Sequence, residues 1–362
     1  MRSSTADAHA AAGAGADTGT ALQPPQPQPQ RFRGHHAPIT CVATPSPNTP
    51  SQLASASEDA TVRIWDMETR RGLRGIRCFD GIEVTSVVYA SPDVVYASST
   101  QAVYCIDLRS HSSPFITSPS YAFGAIGHIS PDINHICVNE KSRYLAIADD
   151  SCIPTILDLR TRKSVTRFRA SHDNYCTSIS FRPNKPWHVC SGGLDCTLIT
   201  WDFSNGTVLD VIDMNSSNNP TQSVNPPYVN AIAFASGASN CALALGDGTI
   251  CVLPSLTANK KKKTESNTLS MTRVDAHAWA VTALHYVSPS ILVSASIDKT
   301  VRIWDSLCTV KTHTIQTNIK INTVTSHVIR SDDRTKALLF IGGAATAATS
   351  KQCDIVMHQI FI

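Results

Sequence analysis

From Arg31 onward, apolar and polar residues alternate over short stretches that are separated by turn residues. The segments EVTSVVYASPDVVYAS and VNAIAFASGASNCALALGDGTICVL show this alternation, and Gly, Pro, Ser and Asn recur between such runs. Alternation with a period of two predicts β-strands that bury one face. Long stretches with the helical spacing of apolar residues are hard to find. The sequence therefore predicts an all-β protein made of many short strands.

One arrangement of residues recurs along the chain. The string VRIWD occurs twice, at residues 62–66 and 301–305, and TLITWD at residues 197–202 ends a third stretch of the same layout. In each stretch a His lies four residues before an apolar residue, a Ser lies four before an Asp, and a Trp follows that Asp by six. The three sets, called tetrads below, are His35, Ser55, Asp59, Trp65; His172, Ser191, Asp195, Trp201; and His277, Ser294, Asp298, Trp304.

Weaker copies of this unit lie between and after the three strong ones. Their positions equivalent to the Trp are Ile106, Leu157, Leu253 and about Met357, which gives seven units at a spacing of about 41 to 53 residues. Each unit has three alternating strands, and a short fourth strand such as GLRGIRCF follows. The pattern resembles the WD-repeat family, whose blades of four antiparallel strands close into a propeller. The resemblance implies a seven-bladed β-propeller over residues 31–362.

The two ends of the chain carry a signal for ring closure. The last unit ends at Phe361 and Ile362 without a fourth strand, whereas QRFRGHH before the first unit resembles TRFRASH before the fourth. We therefore expect residues 30–34 to supply the outer strand of the last blade. Pairing the first and last segments would leave fewer unpaired strand edges.

Three segments lack the strand pattern. Residues 1–30 are rich in Ala and Gly and then read QPPQPQPQ, which predicts a disordered tail, partly in the polyproline II conformation. Residues 214–227 and 257–268 predict exposed loops within the propeller. The second loop contains Lys260–Lys263, which is either a solvated surface run or a signal for nuclear import.

His, Ser and Asp are the side chains of the hydrolase triad, so the tetrads raise the question of catalysis. A catalytic set occurs once in a chain, whereas this one occurs three times and always with a Trp. The favoured interpretation is a buried hydrogen-bond chain in which the indole N–H finds a polar partner. No glycine-rich phosphate loop and no isolated carboxylate pair adds a catalytic signal. We therefore predict a protein that is not an enzyme.

Composition and charge argue against several other classes of function. The formal net charge of +3 is too small to predict a nucleic-acid surface, and no apolar run is long enough to span a membrane. The twelve cysteines are scattered through apolar segments without a Cys-x-x-Cys pair, so neither a structural metal nor a cofactor is expected. Reduced thiols and the lack of a secretion signal predict a cytoplasmic and/or nuclear protein.

Function is expected on the loop faces of the propeller, which suit proteins or peptides better than small substrates. The second and third units end in CIDLR and ILDLR, where Asp107 and Arg109, and Asp158 and Arg160, follow the positions equivalent to the Trp. Members of the WD-repeat family that dock on the propeller adaptor of cullin-4 ubiquitin ligases carry Trp-Asp-x-Arg at this place. These two Asp-Leu-Arg boxes resemble that signature, although Ile106 and Leu157 replace its Trp.

The resemblance implies a protein-protein interaction scaffold that acts as a substrate receptor of a cullin-4 RING ubiquitin ligase. An alternative is that each Arg only pairs locally with the Asp of its own box. The chain would then be a structural scaffold in another intracellular complex.

Overall fold

A computed structural model of the chain describes residues 29–45, 51–110, 112–124, 131–166, 168–216, 225–237, 240–254, 271–330, 335–345 and 353–361. Almost all of its regular structure is β-strand, and one short 3-10 helix covers Met214–Ser216. The first strands are β1 (Gln30–His35), β2 (Ile39–Ala43), β3 (Gln52–Ser57), β4 (Thr61–Asp66), β5 (Gly72–Ile76), β6 (Val84–Ser91), β7 (Val94–Ser99), β8 (Ala102–Asp107), β9 (Phe115–Ile116) and β10 (Tyr121–Gly124).

The middle strands are β11 (Ile133–Val138), β12 (Tyr144–Asp149), β13 (Thr155–Asp158), β14 (Lys163–Thr166), β15 (Cys176–Phe181), β16 (His188–Gly193), β17 (Thr197–Asp202), β18 (Thr207–Asp213), β19 (Val229–Phe234), β20 (Cys241–Leu245), β21 (Thr249–Leu253) and β22 (Thr272–Asp275). The last are β23 (Val281–Ser288), β24 (Ile291–Ser296), β25 (Thr300–Asp305), β26 (Lys311–Gln316), β27 (Ile319–Arg330), β28 (Thr335–Ala345) and β29 (Cys353–Phe361).

The strands form seven sheets, which are the blades of a propeller. Blades one to seven begin with the innermost strands β2, β6, β11, β15, β19, β23 and β27, and each blade runs outward from there. This confirms the predicted seven blades of four antiparallel strands. Blade one carries a fifth strand, because β9 from the connection within blade two pairs in parallel with the outer strand β5.

The predicted ring closure is confirmed. β1 is the outer strand of blade seven and pairs antiparallel with β29, with Gln30 opposite Met357 and Phe32 opposite Ile355. Phe32 is buried, and its ring lies 5.9 Å from those of Trp65 and Phe340. The first strand therefore bonds to the last blade and packs against the first one.

A second set of hydrogen bonds joins neighbouring blades around the central channel. Near the start of every innermost strand a Thr or Asn follows an apolar residue or Cys, and a bulge lies beside it. At six junctions its side chain donates to the carbonyl of the residue before the equivalent Thr or Asn in the next innermost strand: Thr40 to Val84, Asn134 to Cys176, Thr177 to Val229, Asn230 to Val281, Thr282 to Ile321 and Asn322 to Ile39. Thr85 in blade two instead bonds to Ser98 of its own blade.

The predicted tail and loops coincide largely with residues outside the described ranges. The predicted tail of residues 1–30 is one residue too long, because Gln30 is the first residue of β1 and pairs with Met357. The 3-10 helix occupies the start of the first predicted loop, while residues 217–224 and 255–270, with Lys260–Lys263, lie outside the description. No helix among the described residues is long and apolar enough to cross a membrane.

Candidate partner-docking surface

The structure brings the members of each tetrad into one hydrogen-bond chain. In the first, Trp65 Nε1 lies 2.8 Å from Ser55 Oγ, His35 Nε2 lies 2.7 Å from the same oxygen, and His35 Nδ1 lies 2.9 Å from Asp59. The second and third tetrads repeat these contacts within 0.2 Å. A neutral imidazole that donates to the Asp and accepts from the Ser satisfies every member of the chain.

The electrostatics of the tetrads fit this structural arrangement. Burial lowers the pKa of His277 to about 4 despite the neighbouring carboxylate, so the ring is neutral at neutral pH. Burial opposes ionisation of Asp59, but hydrogen bonds from the His35 and Thr61 side chains and from the His36 backbone hold its pKa below the usual range. Ser55, Ser191 and Ser294 are all 0% exposed. Their hydroxyls hold Trp and His in place and are closed to a substrate in this structure.

The blades that lack the Trp also lack the Ser. The residues at the Ser position are Ala97, Ile147, Leu243 and Gly342, and those at the Trp position are Ile106, Leu157, Leu253 and Met357. At Gly342 an added Cβ would lie 2.7 Å from Ile39 Cγ2, which leaves no room for a serine. Replacing both polar partners avoids leaving one of them buried and unpaired.

Blade five keeps only the Asp of the tetrad. Asp247 pairs with Arg273 from the outer strand β22, and the same guanidinium donates to Thr249 Oγ1 at 3.0 Å and to the Met214 carbonyl at 2.9 Å. The arginine takes the place of the His as the hydrogen-bond donor to the Asp, and it adds a positive charge that the neutral His of the three tetrads lacks.

The two Asp-Leu-Arg boxes lie on the same side of the propeller. We call this side the lower face: it consists of the turns between first and second strands and the connections from third to outer strands. The loops that enter the innermost strands and the turns between second and third strands form the upper face. Asp107 ends β8 and Asp158 ends β13, so the boxes occupy corresponding positions in adjacent blades.

The box in blade two is internally paired. Arg109 Nε and Nη2 donate to the two oxygens of Asp107 at 3.0 and 2.9 Å, while the Arg109 side chain remains 67% exposed. The alternative of local pairing therefore describes Arg109.

The box in blade three is arranged differently. Asp158 accepts the backbone N–H groups of Arg160 and Thr161 at 2.9 and 3.0 Å, and its carboxylate pairs with Arg143 at 3.5 Å. Arg143 also lies over the Tyr144 ring at 4.9 Å. The exposed Arg160 guanidinium makes no hydrogen bond or ion pair with any other residue that the structure describes. Arg160 is thus the arginine that local pairing does not account for.

Charge is segregated between the two faces in blades three and four. The lower face carries the basic residues Lys141, Arg143, Arg160, Arg162, Lys163, Arg182 and Lys185 against the acidic residues Glu140, Asp158 and Asp202. The described upper side of these blades carries Asp132, Asp149, Asp150, Asp173 and Asp195 against the basic Arg169. A recess of about 370 Å³ opens between Lys141, Arg182 and Lys185 on the lower face. This face therefore favours an acidic protein surface.

Comparison with known families agrees with the repeated tetrads. The family described as "WD domain, G-beta repeat" matches residues 27–66, 162–202 and 268–305, which contain the three complete tetrads. The seven four-stranded blades agree with this match. The chain is a WD-repeat propeller. The family match covers the three inner strands of blades one, four and six and the outer strand of the preceding blade in each case, and it includes neither Asp-Leu-Arg box.

Curated relatives extend the similarity beyond those three blades. The WD-repeat propeller is 27% identical to WD repeat-containing protein 53 homolog of Dictyostelium discoideum over 298 residues, 75% of this chain and 76% of the relative. It is 29% identical to DDB1- and CUL4-associated factor 7 homolog of Dictyostelium discoideum over 43% of this chain and 46% of that relative. A match to human WD repeat-containing protein 36, at 29% identity, covers 25% of this chain and 10% of that protein.

Neither a metal nor a redox site is built by the described residues. They contain no group of three or more His, Cys, Asp or Glu that could hold a metal ion. All twelve cysteines of the WD-repeat propeller are free thiols, and most of them are buried. Burial raises the pKa of the Cys137 thiol to about 12 and that of Cys190 to about 11, which disfavours the reactive thiolate.

Proposed function

We propose that this WD-repeat propeller is a non-enzymatic protein-interaction scaffold that docks through its lower face on the propeller adaptor of a cullin-4 RING ubiquitin ligase. In that complex it acts as a substrate receptor. The observation that carries the proposal is the exposed Arg160 guanidinium, whose usual local partner Asp158 is bound to Arg143 instead. Arg109 stands at the same position in the adjacent blade.

The energetic cost of releasing Arg109 for a partner is small. Its pair with Asp107 is on the surface, and exposed pairs of this kind contribute little to stability because water and salt screen them. A partner carboxylate that desolvates the guanidinium can offset this cost, since arginine is among the residues enriched at energetically dominant interface positions. Arg160 has no ion pair within the described chain to give up. Both boxes are therefore available to a docking protein.

A relative gives independent support. One of the matched proteins bears the name DDB1- and CUL4-associated factor 7 homolog, which associates that protein with a cullin-4 ligase. The match covers less than half of either chain. It therefore supports the proposal only together with the geometry of the two boxes.

The proposal is tested by measuring recovery of the ligase adaptor with the purified propeller. The double variant Arg109→Ala and Arg160→Ala should lose adaptor binding by at least about tenfold, as expected for two interface arginines. Arg169→Ala is the matched control, because Arg169 is exposed beyond the upper end of β14 in blade three. Equal adaptor recovery for the double variant and the wild type would refute ligase docking. A structural scaffold in another intracellular complex would then be the better description.

A further inference from the structure

The two Asp-Leu-Arg boxes differ in the partner of one carboxylate oxygen. In each box Oδ1 of the Asp accepts the backbone N–H of the Arg two residues later, at 2.9 Å. In blade two, Oδ2 of Asp107 accepts Nη2 of Arg109 at 2.9 Å. In blade three, Oδ2 of Asp158 pairs instead with Nη2 of Arg143 at 3.5 Å. The two turns are therefore built alike, and they differ in which arginine bonds to Oδ2.

This difference follows one position that the two blades share. Asp93 directly precedes β7, and Arg143 directly precedes β12. The carbonyls of these two residues accept the backbone N–H groups of Leu108 and Leu159, the middle residues of the two boxes, at 2.8 Å. The same position thus carries an acidic residue in blade two and a basic residue in blade three. Only the basic residue can form an ion pair with the carboxylate of its box.

The charges around the box in blade two balance. A hydrogen bond and the charge of Asp107, and to a smaller extent the charge of Asp93, raise the pKa of Arg109. Arg74 of blade one lines the same crevice as Asp93 and Arg109. Two carboxylates therefore stand against two guanidinium groups, and this box has little charge left to attract an acidic partner.

The box in blade three has a positive charge in excess. Arg143 and Arg160 stand against the single carboxylate of Asp158. The turn before Arg143 adds Glu140 and Lys141, whose charges cancel. A carboxylate of a partner protein is therefore attracted to this box more strongly than to the box in blade two.

Arg143 is held in place by its own blade and the next one. Its guanidinium lies over the Tyr144 ring at 4.9 Å, a cation-π contact that Val94 at the same position of blade two cannot provide. The Tyr144 ring packs in turn against Phe203 at 5.2 Å and Trp187 at 5.9 Å. The ion pair of Arg143 is thus ordered before a partner arrives, which reduces the ordering cost of binding.

We propose that Arg143 is a positioning residue for docking. By occupying Oδ2 of Asp158, it leaves the Arg160 guanidinium available to an aspartate or glutamate carboxylate of the adaptor. The box in blade three is then the main anchor, and the box in blade two, where Asp93 leaves Arg109 paired, is the weaker one. This inference rests on the proposed docking to the ligase adaptor and names the adaptor group that Arg160 binds.

The first test uses the free propeller. Arg143→Gln should let Oδ2 of Asp158 take the Arg160 guanidinium, so the Nε–H of Arg160 should exchange with water more slowly in NMR spectra. It should approach the behaviour of Arg109, whose Nε donates to its own box at 3.0 Å. Arg169→Gln removes the same charge at an exposed site on the upper side and should leave this exchange unchanged. Unchanged exchange in Arg143→Gln would overturn the positioning role.

The second test measures affinity for purified adaptor by titration. Arg143→Gln should weaken binding by about two- to fivefold, the range expected when an exposed ion pair must open first. Arg143→Lys keeps the ion pair and should bind as the wild type does. In an Arg160→Ala background Arg143→Gln should have no further effect. A further loss there would mean that Arg143 itself contacts the adaptor, and it would overturn the positioning role.

The reciprocal change should strengthen docking. Asp93→Arg supplies blade two with the ion pair of blade three, so Arg109 is released and adaptor affinity should rise by about two- to fivefold. Asp132→Arg makes the same change in net charge at an exposed position on the upper side and should leave affinity unaltered. Equal gains for the two variants would show a general charge effect and contradict the role of this position.

The outcomes distinguish the two proposals. If the Arg109 and Arg160 double variant loses adaptor binding while Arg143→Gln binds as the wild type does, the positioning role is wrong and the proposed function stands. If the double variant binds normally, ligase docking through the boxes is wrong, and the role of Arg143 in docking falls with it. Weaker binding of Arg143→Gln that disappears in the Arg160→Ala background supports both.

Discussion

The serine at the centre of each tetrad has two bonding partners and no access to solvent. Ser191 Oγ lies 2.7 Å from both Trp201 Nε1 and His172 Nε2, and the residue is 0% exposed. Removing the hydroxyl would leave an indole N–H and an imidazole nitrogen buried without a partner. This dependence explains why the Ser and the Trp are replaced together in the degenerate blades.

We therefore predict that Ser191→Ala lowers the free energy of unfolding by about 1 to 3 kcal/mol, measured by chemical denaturation. The same substitution in a Trp201→Phe background should cost less, because the indole N–H that would be left unpaired is then absent. Ser204→Ala, at an exposed turn, should change stability by less than about 0.5 kcal/mol. Additive losses for Ser191→Ala and Trp201→Phe would contradict the coupling.

At the scale of strands and blades, the sequence predicts the parts of the fold that repeat. The tetrads could be predicted because four residue types recur at fixed offsets. The closing strand could be predicted because QRFRGHH resembles TRFRASH, the segment before the fourth unit. The pairing of β9 with β5 could not be predicted, because Phe115 and Ile116 are only two residues and their partner belongs to another blade. The ion pair between Asp158 and Arg143 could not be predicted either, because the two residues lie in separate turns and no local sequence pattern connects them.

A periodic signal in the innermost strands would have located all seven blades without the Trp. Each of these strands has, at or near its start, an apolar residue or Cys followed by Thr or Asn, as in Ile39-Thr40, Cys176-Thr177 and Ile321-Asn322. The reason is physical, since the Thr or Asn bonds to the next blade at six of the seven junctions. These bonds join elements that are consecutive around the ring.

The exception at blade two provides a matched comparison for the junction bonds. Thr282 donates to the Ile321 carbonyl of the next blade at 2.7 Å, whereas Thr85 bonds only to Ser98 in its own blade. Each threonine also donates to a carbonyl of its own blade at 3.3 Å, Thr85 to Ser98 and Thr282 to Ala295. If the bond between blades is the stronger one, Thr282→Val should lower the free energy of unfolding by about 0.5 to 1.5 kcal/mol more than Thr85→Val does, measured by denaturant titration. Equal losses for the two variants would mean that the bond between blades contributes no more than the bond between Thr85 and the Ser98 hydroxyl.

At the scale of the whole molecule, a chain of small net charge carries two faces of opposite character. The formal net charge of +3 conceals the basic lower face and the acidic upper loops of blades three and four. A face of one sign attracts a partner of the other sign before contact, which raises the association rate more than the final affinity. For the proposed docking, the basic residues of the lower face would orient the propeller toward a negatively charged surface of the adaptor before the two boxes make contact.

Two charge reversals with the same effect on net charge separate this steering from a general charge effect. Lys185→Glu adds a negative charge to the lower face of blade four, and Arg169→Glu adds one near the upper side of blade three; both residues are exposed. Only Lys185→Glu should slow adaptor association in stopped-flow measurements at low salt. At about 1 M salt the screening length falls to about 3 Å, so the two variants should then associate at the same rate. Equal slowing by both reversals at low salt would show that net charge, and not the polarity of the propeller, governs the encounter.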